Sequence, residues 1–184
     1  LAIEYMHADI SFEEKLLFFL FVEGIMFSSS FCAIYWLKKR GLMSNLCLAN
    51  YLISRDEGLH TEYAATLLTD FIASENKPSP ARAYEMLRRV IDSEDIFVTM
   101  SLPVELIGMN STEMKQHVRY VADGVLAMAE YEPLYNVPNP FDWLDTIMAE
   151  LQTNFYEGKV GEYNLDVIAD EEDEETLGSD DDDY

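Results

Sequence analysis

The sequence predicts an all-α protein, a bundle of long helices followed by an acidic tail. Three observations support this prediction: apolar residues recur at helical spacing in four long segments, helix-capping residues stand at the predicted starts, and β-strand patterns are scarce. The chain has 184 residues, of which 49% are hydrophobic, enough for an apolar core of ordinary domain size.

The first long helix is predicted to begin at a capping box, with Ser11 as the N-cap and Glu14 reaching back from the third helical position. Its apolar pattern continues to Arg40, and Gly41 is a natural end. The uninterrupted apolar run stops at Glu23, so it is shorter than the roughly 20 residues that a membrane span needs. Because this helix is apolar on all sides, we predict that it occupies the centre of the bundle.

Four further helical segments follow the first. Ser79 and Pro80 mark one of the starts, since serine caps helices and proline is favoured in the first turn. The predicted segments run approximately over Ser44–Ile72, Ser79–Leu102, Ser111–Glu130 and Trp143–Leu151.

The chain carries a formal net charge of -23, from 35 acidic and 12 basic side chains. This charge excludes a general nucleic-acid binder, because neutralising phosphates needs a basic surface, and it argues against docking on anionic membranes. Residues 157–184 contain 13 of the acidic side chains and a single lysine. We predict a folded domain over residues 1–156 and a disordered acidic tail over residues 157–184.

The two cysteines, Cys32 and Cys47, lie within apolar helical patterns and form no C-x-x-C pair. A disulfide framework is therefore not expected, which favours a reducing compartment. The first residues lack the basic start and apolar core of a signal peptide, so we predict a cytoplasmic protein. Since the sequence begins with Leu1 instead of methionine, we expect it to start partway through a longer protein.

Glu23 is the most informative residue of the first helix, because it is an acid flanked by Val22, Ile25 and other apolar side chains. A buried carboxylate costs several kcal/mol unless it is neutralised, paired or bound to a metal. No basic residue lies within one helical turn, so an ion pair along the helix does not account for it. A helix end or a partly exposed flank is the alternative interpretation.

Glu57 and His60 form an E-x-x-H motif in the second long helix. Residues three apart share a helix face, so this carboxylate and imidazole can bind the same ion, although pairing at the surface is the default for the motif alone. A second E-x-x-H, formed by Glu4 and His7, lies in a short segment ahead of the first cap. We do not expect so short a segment to hold metal ligands rigidly.

Together with Glu23, the Glu57 and His60 pair supplies half of a two-metal site. Ferritin-like di-iron proteins take one glutamate from each of two helices and a Glu-x-x-His motif from each of two others. Carboxylate and imidazole ligands suit iron or manganese, whereas thiolates would indicate zinc or a cluster. This chain contains one helix of each kind, in that order.

Short strings along nearly all of the chain ahead of the acidic tail, and one string within the tail, point to one family. They are Val22–Phe27, Trp36–Met43, Ile53–His60, Leu106–Asn110, Met114–Gln116, Val121–Asp123, Asn139–Phe141, Thr153–Phe155 and Val160–Tyr163. In these strings the chain resembles the small, radical-bearing subunit of class I ribonucleotide reductase, in the branch found in eukaryotes and large DNA viruses. The resemblance implies the second half of a ferritin-like di-iron helical bundle.

In that family a di-iron centre generates a stable tyrosyl radical, which is passed to a large subunit that reduces ribonucleotides to deoxyribonucleotides. The resemblance implies that Glu23, Glu57 and His60 are iron ligands, with manganese as the alternative metal. It also implies that Asp56 is the carboxylate that links an iron-bound histidine to the tryptophan of the radical pathway.

Four further residues match functional positions of the family. Phe27, Phe31 and Ile53 match apolar residues around the radical tyrosine, where a dry wall protects the radical, although ordinary core packing would place the same residue types there. Tyr163 matches the flexible-tail tyrosine that hands the radical across the subunit interface.

The resemblance also implies two partners: a second copy of the small subunit, and the large subunit, on which the acidic tail would dock. The metal ligands and radical tyrosine of the family's first half have no match in this sequence, so we expect the chain to be inactive alone. Two alternatives stay open. In the first, two copies of the chain complete a metal site between them. In the second, the chain is a non-catalytic partner that docks on the large subunit.

Overall fold

The computed structural model describes residues 2–148, which form helices joined by loops. The helices are α1 (Ala2–His7), α2 (Phe12–Ile25), α3 (Ser28–Lys39), α4 (Ser44–Thr66), which continues into a π-helical turn (Leu67–Phe71), α5 (Pro80–Ser101) and α6 (Ser111–Met128). Residues 142–148 are also helical. Within residues 2–148 there is no β-strand beyond an isolated bridge between Leu106 and Met109, so the all-α prediction is confirmed.

Two predicted helix starts are capped by the expected serine side chains. Ser11 Oγ accepts a hydrogen bond from the Glu14 backbone N–H at 3.2 Å, and Ser79 Oγ accepts one from the Arg82 N–H at 3.3 Å. The Glu14 carboxylate does not close the predicted capping box but instead accepts a hydrogen bond from Arg82 Nε at 2.6 Å. Glu14, which was expected to complete the capping box, therefore links the first turn of α2 to the first turn of α5.

The helix predicted from Ser11 to Arg40 is broken into α2 and α3 at Met26 and Phe27. The Ser28 hydroxyl donates to the Ile25 carbonyl at 2.7 Å, so a side chain competes there with the backbone ladder. The predicted end is correct, because Gly41 follows α3 with a φ of +67°, the left-handed conformation that favours glycine after a helix.

α2 is the central helix of the main core and packs against α4, α5 and α6. Leu17, Leu20, Phe21 and Ile25 are fully buried there. By length and a mean hydropathy of 1.9, the stretch Phe12–Lys39 is long and apolar enough to cross a membrane. In this structure most apolar side chains of α2 pack in the main core, as predicted for the centre of a bundle, whereas Phe12 and Phe19 are exposed.

A second, smaller core lies against α3. It contains Cys32, Val98, Met109, Met114 and Phe141, with Trp36 and Trp143 partly buried against it. Cys47 is buried in α4, where its thiol lies 3.6 Å from the Ile34 carbonyl and 3.5 Å from the Leu42 carbonyl. Both cysteines are free thiols.

Residues 1–144 form one compact unit, and residues 145–184 are assigned to a second unit. Of the second unit the structure describes residues 145–148, which are helical. The predicted domain boundary at residues 156 and 157, the acidic tail and Tyr163 all lie outside the described residues.

Candidate metal centre

Two neighbouring helices carry the three residues singled out as metal ligands. Glu23 lies near the C-terminal end of α2, and Glu57 and His60 lie one turn apart in α4. His60 Nδ1 is 3.1 Å from Glu23 Oε2 and 3.0 Å from Glu57 Oε2. One oxygen of each carboxylate and one imidazole nitrogen all lie within 4.8 Å of one another, close enough to share one cation.

The close packing of α2 on α4 follows from small residues on the buried side of α4. Thr61, Ala64 and Ala65 are all buried, and they lie one, four and five residues after His60. Small side chains let neighbouring helices approach closely, and residues three and four apart share one face. The sequence of α4 thus places small packing residues beside the E-x-x-H motif.

Partial burial and the contacts among the three side chains shift their pKa values. The side chain of Glu23 is 16% exposed and that of Glu57 is 22% exposed, whereas His60 is 55% exposed. Burial raises the pKa of Glu23, and the adjacent Glu57 carboxylate raises it further. The hydrogen bond with Glu23 lowers the pKa of Glu57, and the contacts with Glu57 and Glu23 raise the pKa of His60.

A cleft of about 370 Å³ opens beside this cluster. Its walls come from α2, α3, α4 and α6, so it lies among four of the long helices and not at the tip of a loop. The residues that line it include Glu23, Phe31, Glu57, Thr61 and Val125. The carboxylates therefore face a space that a ligand or another protein segment could enter.

The second E-x-x-H motif has different surroundings. The Glu4 carboxylate accepts two hydrogen bonds from Arg89 Nη2, at 2.8 and 2.9 Å. An arginine from α5 therefore neutralises this carboxylate, whereas Glu57 has a second carboxylate beside it. Among the described residues, the metal-type cluster comprises Glu23, Glu57 and His60 and excludes Glu4 and His7.

The donor set of the cluster fits a hard or borderline divalent cation. Two carboxylates and one imidazole suit iron or manganese. Burial raises the pKa of Glu23, the neighbouring Glu57 carboxylate raises it further, and a bound cation would offset both effects. Glu23, Glu57 and His60 therefore fit the metal that the sequence analysis predicts, and His60 Nδ1 is the nitrogen that faces it.

A family model described as "Ribonucleotide reductase, small chain" matches residues 1–140. The chain belongs to the ribonucleotide reductase small chain family. The predicted resemblance is confirmed.

Individual members of the family are similar to the chain in sequence over most of its length. The chain is 49% identical over 162 residues to the ribonucleoside-diphosphate reductase small chain of Trypanosoma brucei brucei, covering 88% of this chain and 48% of that protein. It is 42% identical over 170 residues to the small chain of Variola virus, covering 92% and 52% respectively. These relatives agree with the predicted eukaryotic and large-virus branch, and the chain spans about half the length of the curated relatives it matches.

Solved structures of the family share the fold. The Rnr4 homodimer of Saccharomyces cerevisiae superposes with a TM-score of 0.68 at 28% identity, covering 88% of this chain and 49% of the other. A putative class I ribonucleotide reductase from Bacillus halodurans also superposes with a TM-score of 0.68, at 21% identity. The helical arrangement described above is therefore that of the small chain family.

The three residues expected to form an apolar radical pocket occupy different environments. Phe31 lines the cleft beside Glu23. The ring of Phe27 lies 6.2 Å from that of Phe31 at an angle of 46°, with part of Phe27 exposed. Ile53 is exposed and does not line the cleft. Only Phe31 therefore borders the ligand cluster, and the pocket role of all three residues stays a prediction.

Asp56 and Tyr163, expected to take part in radical transfer, are not placed at the cluster. Asp56 is exposed, and its carboxylate lies 3.5 Å from Arg55 Nη2. Tyr163 lies outside the described residues. The role of Asp56 in radical transfer also stays a prediction.

Sequence reasoning overlooked one buried acid, Glu94 in α5. Its side chain accepts a hydrogen bond from Ser29 Oγ at 2.8 Å, and the residue is 3% exposed. Burial raises the pKa of Glu94 to about 7. The pattern that could have revealed it is a spacing of four, since Val90 and Val98, on either side of Glu94 along the same helix face, are both buried.

Proposed function

We propose that this chain contributes the second-half ligand set of the di-iron centre in a ribonucleotide reductase small subunit, with manganese as the alternative metal. The observation that supports this most directly is the convergence of Glu23, Glu57 and His60 on one point. Family membership supports it independently, because the match covers residues 1–140.

In this proposal each side chain has a defined task. Glu57 and His60 bind metal from one face of α4, and Glu23 supplies a carboxylate from α2, so that two helices must hold their relative positions. When bound, the metal pair supplies the oxygen chemistry that oxidises a tyrosine to a stable radical. Phe31, with Phe27 and Ile53, would exclude water and reductants from that radical.

The remaining roles concern the subunit as a whole. Asp56 would orient a histidine ligand provided by the first half, because a metal-bound imidazole commonly donates its other N–H to a carboxylate. Tyr163 would relay the radical to the large subunit, and the acidic tail would dock there. In a complete small subunit, Tyr163→Phe should leave metal and radical intact and abolish turnover. Loss of metal in that variant would contradict the relay role.

The open side of the cluster indicates that further ligands come from elsewhere. His60 is 55% exposed, and the chain spans about half the length of its curated relatives. Ligands from a segment corresponding to the relatives' other half would complete the centre. We therefore expect the chain alone to bind metal weakly and to generate no radical.

A homodimer that completes the site from two copies is the second candidate. Two copies together supply two single glutamates and two Glu-x-x-His motifs, which is the full ferritin-like ligand set. A solved relative is described as a homodimer, which makes paired copies a reasonable arrangement for this chain.

Metal titration of the purified chain tests the proposal. Calorimetry with Mn(II), and with Fe(II) under anaerobic conditions, should show binding that Glu57→Gln or His60→Gln weakens at least tenfold. The chain offers a matched control, because Glu4→Gln combined with His7→Gln changes the same residue types at the same spacing outside the cluster. This control should bind as the wild type does.

The oligomeric state during the same titration separates the candidates. A half-site should bind at most one metal per monomer without changing the oligomeric state, whereas dimerisation that depends on metal, seen in size-exclusion chromatography, would favour two complementing copies. A chain that binds neither metal would contradict both and leave the non-catalytic partner. Equal loss of binding in the Glu4 and His7 control would show that the assigned cluster is wrong.

A further inference from the structure

The residue after Glu23 is a glycine in direct contact with two other helices. An ideal Cβ placed on Gly24 would lie 2.8 Å from Val125 Cγ2 in α6 and 3.0 Å from Thr61 Cγ2 in α4. Carbon atoms in contact normally lie about 3.5–4.0 Å apart. The backbone of α2 therefore occupies the space that a side chain at this position would need.

The two neighbours of Gly24 have little freedom to move away. Thr61 is buried, and its hydroxyl donates to the Glu57 carbonyl at 2.7 Å, which fixes the direction of its methyl group. Val125 is buried in the main core. Because interiors are closely packed, displacing either methyl-bearing side chain requires neighbouring residues to shift as well.

The contact lies at the level of the ligands in both helices. Gly24 follows Glu23 in α2, and Thr61 follows His60 in α4. The distance between α2 and α4 at this level therefore determines whether the Glu23 carboxylate reaches His60 Nδ1, which it does at 3.1 Å. A side chain on Gly24 would separate the helices where the ligands must meet.

We infer that Gly24 is a positioning residue, which sets the separation of α2 and α4 through its contact with Thr61 and Val125 and so brings Glu23 to His60. The metal-binding consequence rests on the proposed function, whereas the geometric consequence does not. Gly58 and Gly124 provide a contrast, since a Cβ on either would meet nothing within 4 Å. Gly58 follows Glu57 just as Gly24 follows Glu23.

Nuclear Overhauser contacts in the metal-free chain test the inference directly. The wild type should show contacts between the Glu23 side-chain methylenes and the His60 ring, and between Gly24 Hα and the Thr61 methyl. Gly24→Ala should lose both sets, whereas Gly58→Ala, the matched control, should keep them. Circular dichroism of each variant verifies that the helices remain formed.

Relief of the crowding provides the decisive variant. Gly24→Ala combined with Val125→Ala removes the two valine methyl groups, at 2.8 and 3.3 Å from the new Cβ, and leaves Thr61 Cγ2 at 3.0 Å. A shift of α2 by a few tenths of an ångström into the vacated space relieves that remaining contact, so the contacts between Glu23 and His60 should return. This double variant also decides the matter if Gly24→Ala alone does not fold. A double variant that folds without those contacts, or that fails to fold, would overturn the inference. A Gly24→Ala chain that keeps the contacts between Glu23 and His60 would also overturn it.

Cobalt(II) titration then separates this inference from the proposed function. If the wild type binds Co(II), Gly24→Ala should bind at least tenfold more weakly, Gly58→Ala should bind normally, and the double variant should recover. If the wild type binds no Co(II) but the contacts change as expected, the proposed function fails and the geometric inference stands. Unchanged Co(II) affinity in Gly24→Ala would overturn the role of Gly24 in the site.

Discussion

Glu23 and Glu94 are two carboxylates placed among buried side chains, one in α2 and one in α5. Burial raises the pKa of both. Glu23 meets a second carboxylate and an imidazole at the edge of a cleft, whereas Glu94 is more deeply buried and accepts one hydrogen bond from the Ser29 hydroxyl. The more deeply buried acid is therefore the one without a ligand cluster.

The difference shows that burial alone does not identify a metal ligand. A lone buried carboxyl can avoid the cost of its charge by staying protonated, as the raised pKa of Glu94 indicates. A carboxylate beside another carboxylate and an imidazole gains more from a cation, because the cation relieves repulsion and uses all three donors. The partners of the acid, and the space they face, distinguish the two cases.

The largest expected difference between the two acids is in the effect of their substitution on metal affinity. Glu23→Gln should weaken Mn(II) or Fe(II) binding by about 100-fold, equivalent to about 2.8 kcal/mol, because it removes a charged ligand. The metal-free fold should survive, since the change deletes a partly buried charge. Glu94→Gln, the same substitution in the other acid, should leave affinity unchanged in calorimetry. Equal effects would remove the distinction between the two acids.

The next largest effect is on the free energy of unfolding, and here the substitution that matters is the one at Glu94. A carboxyl whose folded pKa is raised from 4.5 to about 7 contributes stability that is present below pH 4.5 and lost as the pH rises through 7. Glu94→Gln removes that loss, so it should raise the free energy of unfolding by roughly 2 kcal/mol at pH 8 and change it little at pH 4.5. Urea unfolding at both values measures this, and equal stability at pH 8 would contradict it.

A smaller effect is expected from the partner of Glu94. Ser29→Ala removes the hydrogen bond to a buried carboxyl and should lower the free energy of unfolding by about 1 kcal/mol. Ser30→Ala, at the next and less buried position of α3, serves as the control and should stay within about 0.5 kcal/mol of the wild type. Identical results for the two serines would show that the hydrogen bond does not stabilise the fold.

The smallest effect is a change in the titration of His60. Its contacts with Glu57 and Glu23 raise the pKa of His60, so its protonated form is favoured until the pH rises through that value. Glu23→Gln should lower the pKa of His60 in an NMR titration, whereas Glu94→Gln should not. Metal affinity should fall as the pH drops through the same pKa, because the proton competes for the imidazole.

Local patterns in the sequence were sufficient to predict most helix boundaries. The starts at Ser11 and Ser79 and the end at Gly41 depend on capping and backbone preferences within a few residues. The convergence of Glu23 with Glu57 and His60 was expected because the ferritin-like ligand pattern combines a glutamate from one helix with a Glu-x-x-His motif from another. The structure brings these three side chains together, and their role as ligands stays a prediction.

Features that depend on packing between helices could not be predicted in the same way. The break at Met26 and Phe27 lies within an uninterrupted helical pattern and contains no proline or glycine. The π-helical turn Leu67–Phe71 likewise follows α4 without a local break in composition. Glu94 was missed because α5 contains many charged residues, so one acid on the buried face does not stand out.

The burial of Cys32 and Cys47 has a chemical consequence. Burial raises the pKa of the Cys32 thiol to about 12 and also raises that of Cys47. Because the thiolate is the reactive form, neither sulfur is nucleophilic in the closed protein at neutral pH. Alkylation of these thiols therefore reports how often the structure around each one opens: Cys32 reports on the smaller core, and Cys47 reports on the first turn of α4.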